Sequence, residues 1–154
     1  MVAKRYHKNR FKVKGLNLQT RVVLIREKKF IESNYDFLKC TISKNKLICV
    51  GKVQPTEHSI EYKIKIVYDG LISPKVYVLD PEIKYNDEIH IFPKEKNLCL
   101  YHSETDNFIW DFKKHNIYDT IIPWALEWFV YYELYQITGK WEHPFVPHNS
   151  NNSK

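Results

Sequence analysis

The sequence predicts an α+β fold: an antiparallel four-stranded meander with an N-terminal helix before it and one long helix after it. Three observations carry that reading. Apolar and polar residues alternate strictly through SIEYKIKIVYDG. Short polar turns, SKNK and the Asp69-Gly70 pair, separate neighbouring strand-like runs. Late in the chain an aromatic run recurs at three- and four-residue steps, the period of a helix that buries one face.

In chain order, residues 17–29, NLQTRVVLIREKK, read in two ways. Leu18, Val22 and Ile25 (with Arg21) fit helical spacing, while RVVLI alone fits a short strand; the helix is preferred. After Tyr35-Asp36 the β pattern is clearer. Leu38, Cys40 and Ile42 alternate with Lys39 and Thr41, SKNK turns the chain, and LICVGKV returns. In the next run Ile60, Tyr62, Ile64, Ile66 and Tyr68 share one face, with Glu61, Lys63 and Lys65 on the other. One face is therefore covered and one wet, as in an antiparallel sheet. SPKVYVLDP supplies the fourth strand, limited by Pro74 at its start and Pro81 at its end. A bare sheet of this size is not stable alone, so a helix must cover its apolar face.

The covering helix follows Asp119-Thr120, a capping pair whose first turn tolerates Pro123, and stops at Gly139. Its stripe of Ile121, Trp124, Ala125, Trp128, Tyr132 and Tyr135 reads as core rather than as a ligand box. The tail WEHPFVPHNSNNSK is expected to wrap the surface and then fray. With 154 residues the chain is expected to form one domain over residues 1–148, with a disordered tail at 149–154. His143 and His148 sit on a Pro-containing loop, a poor metal pair, and no metal or cofactor is expected.

Composition narrows the function. A hydrophobic fraction of 44% argues against intrinsic disorder. No apolar run approaches the roughly 20 residues of a membrane span, and the basic N-terminus lacks the apolar segment of a secretory signal, so the expected location is the cytoplasm with no membrane partner. The first fifteen residues hold six basic side chains and no acidic one, as many as the whole net charge of +6. A flexible basic arm accounts for that surplus. Without a zinc finger, an RNA-binding signature or a glycine-rich phosphate loop, the nucleic-acid reading is held down. Cys40, Cys49 and Cys99 form no CxxC pair and read as reduced thiols, the first two as small apolar core residues.

Between sheet and helix, residues 84–118 have little periodicity yet hold Cys99, His90, His102, His115 and Trp110. Loops of that length in a compact domain are usually functional or disordered, and this one is too aromatic for a floppy linker. In HIFPKEKNLCLYH, Cys99 stands between His90 and His102. A thiol there is a candidate nucleophile, provided that it is accessible and a neighbour favours its ionised form.

The order of sheet, SPKVYVLDP, histidine, cysteine nine positions on, loop tryptophan and helix resembles the core of ubiquitin-conjugating enzymes. In that family a strand with a Pro-Pro-type entry leads to a His-Pro-Asn element, the catalytic cysteine, a tryptophan loop and a crossing helix. His90, Cys99 and Trp110 match the histidine, the cysteine and the tryptophan. The segments HIFP…LCLYH and TIIPW…YYELYQITGKW are more closely similar to the bacterial ubiquitin-conjugating-like proteins of short type II CBASS antiphage systems, over roughly residues 35–145. Two features depart from the pattern. The family asparagine that supports the oxyanion falls at Phe92, leaving that role vacant or moved to Asn97, His90 or His102, and the helices that follow the core in eukaryotic members are missing.

The resemblance implies a thioester on Cys99. The acyl group would come from the C-terminus of a ubiquitin-like protein or of a cyclic GMP-AMP synthase-like nucleotidyltransferase, and would pass to a lysine or another amine. A separate activating enzyme or a preformed donor complex is implied. His102 would orient or protonate, and His90 would brace the loop. Asp106 and Asp111 would position the incoming lysine, as acidic residues do in that family. The alternatives are an idle scaffold of the same fold, which binds the synthase without bonding to it, a cysteine hydrolase using Cys99 with His102, and a basic nucleic-acid binder.

Overall fold

The computed structural model describes residues 2–143, with side chains from residue 18 onward. The element order is α1 (Val2–Asn34), β1 (Leu38–Ser43), β2 (Lys46–Val53), β3 (Tyr62–Tyr68), β4 (Lys75–Asp80) and α2 (Ile121–Thr138). The strands form one antiparallel sheet in the order β1-β2-β3-β4, the expected meander. The tail at 149–154 and His148 lie outside the described residues. No helix among the described residues is long and apolar enough to cross a membrane.

The expected N-terminal helix is present and longer than its apolar pattern, running back to Val2 through the basic arm. Its buried face is a correction. Leu18, Val22 and Ile25, the stripe that suggests the helix, are 66%, 59% and 52% exposed, and the seam against the sheet is Thr20, Val23, Leu24, Glu27 and Ile31. Two of those five are polar, so the true seam does not register as apolar periodicity. Glu27 is fully buried because it is satisfied: Oε2 accepts the Ile117 N–H at 3.0 Å and Oε1 takes Arg26 Nη2 at 3.2 Å. The same Arg26 nitrogen donates to the Phe112 carbonyl at 2.9 Å, so α1 pins the long segment before α2 from beneath.

The strands follow the alternation. Tyr62, Ile64, Ile66 and Tyr68 are buried, and Ile60 falls before β3 and is exposed. Lys44 and Asn45 carry φ of 50° and 60°, as the tight turn between β1 and β2 requires. Cys40 and Cys49 are buried as read but are not reduced thiols: they face each other across β1 and β2 and are joined in a disulfide. Composition shows only that three cysteines leave one over, whereas the register that sets two of them opposite is a property of the fold. Cys99 is the free one.

Helix α2 stops as expected at Gly139, whose φ of 74° is left-handed and whose N–H bonds the Tyr135 carbonyl at 2.8 Å. Its start differs. The Thr120 hydroxyl makes no capping bond and donates back to the Asn116 carbonyl at 2.5 Å. Ile121, Ile122, Ala125, Trp128 and Phe129 are buried, and Phe129 stacks on Tyr62 with ring centroids 4.2 Å apart. Trp124, Tyr132 and Tyr135 are half-buried at the edge of the core, and Trp124 faces the site described next. The segment at 84–118 is ordered by long-range bonds, including Trp110 Nε1 to the buried Tyr68 hydroxyl at 3.1 Å.

Candidate active site

A small hairpin over residues 90–99 presents the thiol. The Phe92 N–H reaches the Asn97 carbonyl at 3.0 Å, Lys96 turns with φ of 58°, and Ile91 bridges Leu98. The Leu98 N–H bonds the Val76 carbonyl at 2.8 Å, which fastens the hairpin to β4. The His90 carbonyl takes two donors, the Cys99 N–H and Trp128 Nε1–H, each at 2.9 Å. The backbone at Cys99 is thereby set against α2, and the His90 ring stacks on Trp141 at 5.5 Å.

Cys99 is 4% exposed, and it forms part of the wall of a cavity of about 310 Å³. Tyr101, Phe108, Trp124, Trp128 and Trp141 give that cavity aromatic sides. Its polar lining is His90, His102, Thr105, Asp106, Glu127 and His143, with no Lys or Arg among the described residues. The thiol contacts the Tyr101 carbonyl at 3.7 Å. Burial pushes its pKa up to about 11 and the nearby Asp106 carboxylate adds to the rise, so the resting group is a protonated thiol.

His102 and Asp106 close a tight turn over one side. Asp106 Oδ2 accepts the His102 N–H at 2.7 Å, and the Asp106 N–H bonds the His102 carbonyl at 2.9 Å. The Thr105 N–H points at His102 Nδ1 at 3.4 Å. On the opposite wall Glu127 Oε1 meets His143 Nε2 at 3.5 Å, and the His143 ring stands edge-on to Tyr131.

The cavity thus brings together Cys99, His90, His102 and Asp106 from the sequence reading. It does not include the other two. Asn97 is buried within the hairpin, and Asp111 lies against a shallower surface hollow where its carboxylate accepts the Lys113 N–H at 2.9 Å. Residues missed by sequence reasoning are Glu127, Trp141 and His143. Glu127 sits three positions after Trp124 and shares its helical face, but nothing in the sequence sets that face beside Cys99. Trp141 and His143 follow the helix and carry no signal of it either.

A family model described as type II CBASS E2 protein matches residues 27–149, from the last turns of α1 through the sheet, the hairpin and α2. The chain belongs to the type II CBASS E2 family. No curated protein matches it. Two helices and a four-stranded antiparallel sheet agree with the ubiquitin-conjugating-like core expected of such an E2. In this type II CBASS E2 protein the free cysteine and its entire cavity fall inside the matched span. Chemically the site offers a shielded thiol, three imidazoles and two carboxylates that can meet a cation.

Proposed function

We propose that this type II CBASS E2 protein is a cysteine-dependent acyl carrier. Cys99 takes the C-terminal acyl group of a protein, by preference the cyclic GMP-AMP synthase-like nucleotidyltransferase of its own defence system, and passes it to a lysine or another amine. The observation that carries the reading is the placement of the one free thiol in the wall of a cavity large enough for an extended peptide end. In the loading step the Cys99 sulfur bonds to the acyl carbon as the bond to the donor's leaving group breaks. A free carboxylate has no such leaving group, so an activated donor is required, supplied by a separate activating enzyme or by a preformed donor complex. In the transfer step the amine nitrogen replaces sulfur, and Asp106 is the carboxylate placed to hold that amine. His102 is the proton carrier of the pair, and His90 braces the hairpin through its carbonyl.

One observation favours a second reading, a binding scaffold of the same fold with an idle thiol. The raised pKa of Cys99 leaves little thiolate at neutral pH. The two readings separate on Cys99→Ser expressed with the synthase. A carrier accumulates a base-labile oxyester, and its function is lost in Cys99→Ala. A scaffold forms no adduct and keeps its function in both variants.

A further inference from the structure

Helix α1 turns one side to the sheet and leaves the other bare. Its seam of Thr20, Val23, Leu24, Glu27 and Ile31 is buried, whereas Leu18, Val22 and Ile25 are each more than half exposed. Steps of four and three residues set those three side chains in one line along the helix. On a single rod of 33 residues such a line is a ridge, not a groove. Arg21, Lys28 and Lys29 stand three or four positions from members of the ridge, and Arg21 and Lys29 are exposed beside it.

The charge of the helix is one-sided as well. Its sequence holds ten Lys or Arg and two Glu, and six of the basic residues fall within the first fifteen of the chain. Both carboxylates are committed to the protein. Glu27 holds the Ile117 N–H and Arg26, and Glu32 Oε1 accepts the Cys40 N–H at 3.2 Å. The solvent side of α1 therefore carries an apolar ridge, cations beside it and no uncommitted carboxylate among the described residues.

A helix of that form suits a membrane interface, where apolar side chains enter the acyl region and Lys and Arg meet anionic headgroups. A second copy of the chain is a poorer occupant, because two such helices would meet with like charge. We propose that α1 docks this protein on an anionic lipid bilayer, with Leu18, Val22 and Ile25 inserted and Arg21, Lys28 and Lys29 at the headgroups. The sequence speaks against a membrane partner only through the lack of a spanning run, and a helix lying in the interface spans nothing. The opposite side of α1 stays on the sheet, so docking asks for no rearrangement around Cys99. The inference stands apart from the acyl-carrier reading and survives its failure.

The test sediments the full chain with vesicles of phosphatidylcholine alone or with about 30% phosphatidylglycerol. At about 50 mM salt the protein is expected to pellet with the anionic vesicles and stay in solution with the neutral ones, and to bind less as salt rises. A wild-type protein that pellets with neither overturns the proposal. Val22→Ser combined with Ile25→Ser keeps the charge and removes most of the ridge, and its partition coefficient is expected to fall about tenfold or more. A value within about twofold of wild type would mean that the cations alone hold the surface, which overturns the insertion. Should that variant fold poorly, an environment-sensitive dye at Val22→Cys decides. Its emission is expected to shift to the blue on anionic vesicles, while the same dye at Lys63→Cys on the exposed face of β3 stays unshifted. An unshifted dye at position 22 overturns the proposal. So does a wild-type dimer in light scattering that the double serine variant dissociates, since the ridge would then belong to a second copy.

Discussion

Replacing Asp106 by Asn tests the electrostatics of the site. The Cys99 thiol stands at about 11 against an ordinary 9.0, with burial as the larger cause and the Asp106 carboxylate as the next. At pH 8 the thiolate is about one part in a thousand. Asp106→Asn keeps an oxygen to accept the His102 N–H, so the turn survives while the charge is lost. Burial is the larger of the two causes, so the scale of the charge effect is on the order of one pKa unit, or about 1.4 kcal/mol. The sign is fixed: removing a negative neighbour lowers an acid's pKa and raises the thiolate fraction up to about tenfold. A thiol of lower pKa is also a weaker nucleophile, with a Brønsted slope of about 0.45, which reduces the net gain to about threefold. The assay is the initial rate with 2,2′-dithiodipyridine at pH 8, which reads Cys99 alone because Cys40 and Cys49 are paired. A threefold faster rate with a lower midpoint in its pH profile is expected. An unchanged rate and midpoint would mean that the carboxylate does not act on the sulfur, and the electrostatic account would be wrong.

Other positions test the scaffold. Glu27→Ala strands the Ile117 N–H and Arg26 and should lower the urea-unfolding free energy by about 2–4 kcal/mol. Burial raises the Glu27 pKa above 4.5, so its titration favours the fold below 4.5 and loses that contribution as pH climbs through the raised value. Glu27→Gln should therefore flatten stability against pH over that window, as read by unfolding between pH 4 and 7. Gly51→Ala would put a Cβ 2.1 Å from the Phe37 carbonyl oxygen and force β1 off β2, with an expected loss of about 3 kcal/mol in the same assay. Thiol titration of the unfolded chain should count one group before reduction and three after it, confirming the Cys40–Cys49 bond.

Much of this fold is legible in the sequence because a half-covered sheet writes itself in alternation. Tyr62, Ile64, Ile66 and Tyr68 all point inward as their spacing says, and Pro81 and Gly139 end elements where their backbones demand it. Helix α1 is legible as a helix but not in its orientation. Its most apolar stripe faces water, and its buried seam holds a glutamate whose partners lie 90 residues away at Ile117 and next door at Arg26. The disulfide and the cavity were hidden for the same reason, since both depend on which residues the tertiary fold sets opposite one another. The hairpin around Cys99 could be singled out from its chemistry, as could His90, His102 and Asp106. The far wall, Glu127, Trp141 and His143, belongs to a helix and to the chain after it, and only the packing of α2 beside the hairpin brings it to the thiol.

The central claim is a covalent bond at Cys99, and intact mass reads it directly. The protein is expressed with the nucleotidyltransferase proposed as its partner, purified under native conditions and weighed before and after neutral hydroxylamine. A carrier gives a species heavier by the donor less its leaving group, released by hydroxylamine and absent from Cys99→Ala. A stable complex with unmodified mass, together with full defence by Cys99→Ala, would contradict the account.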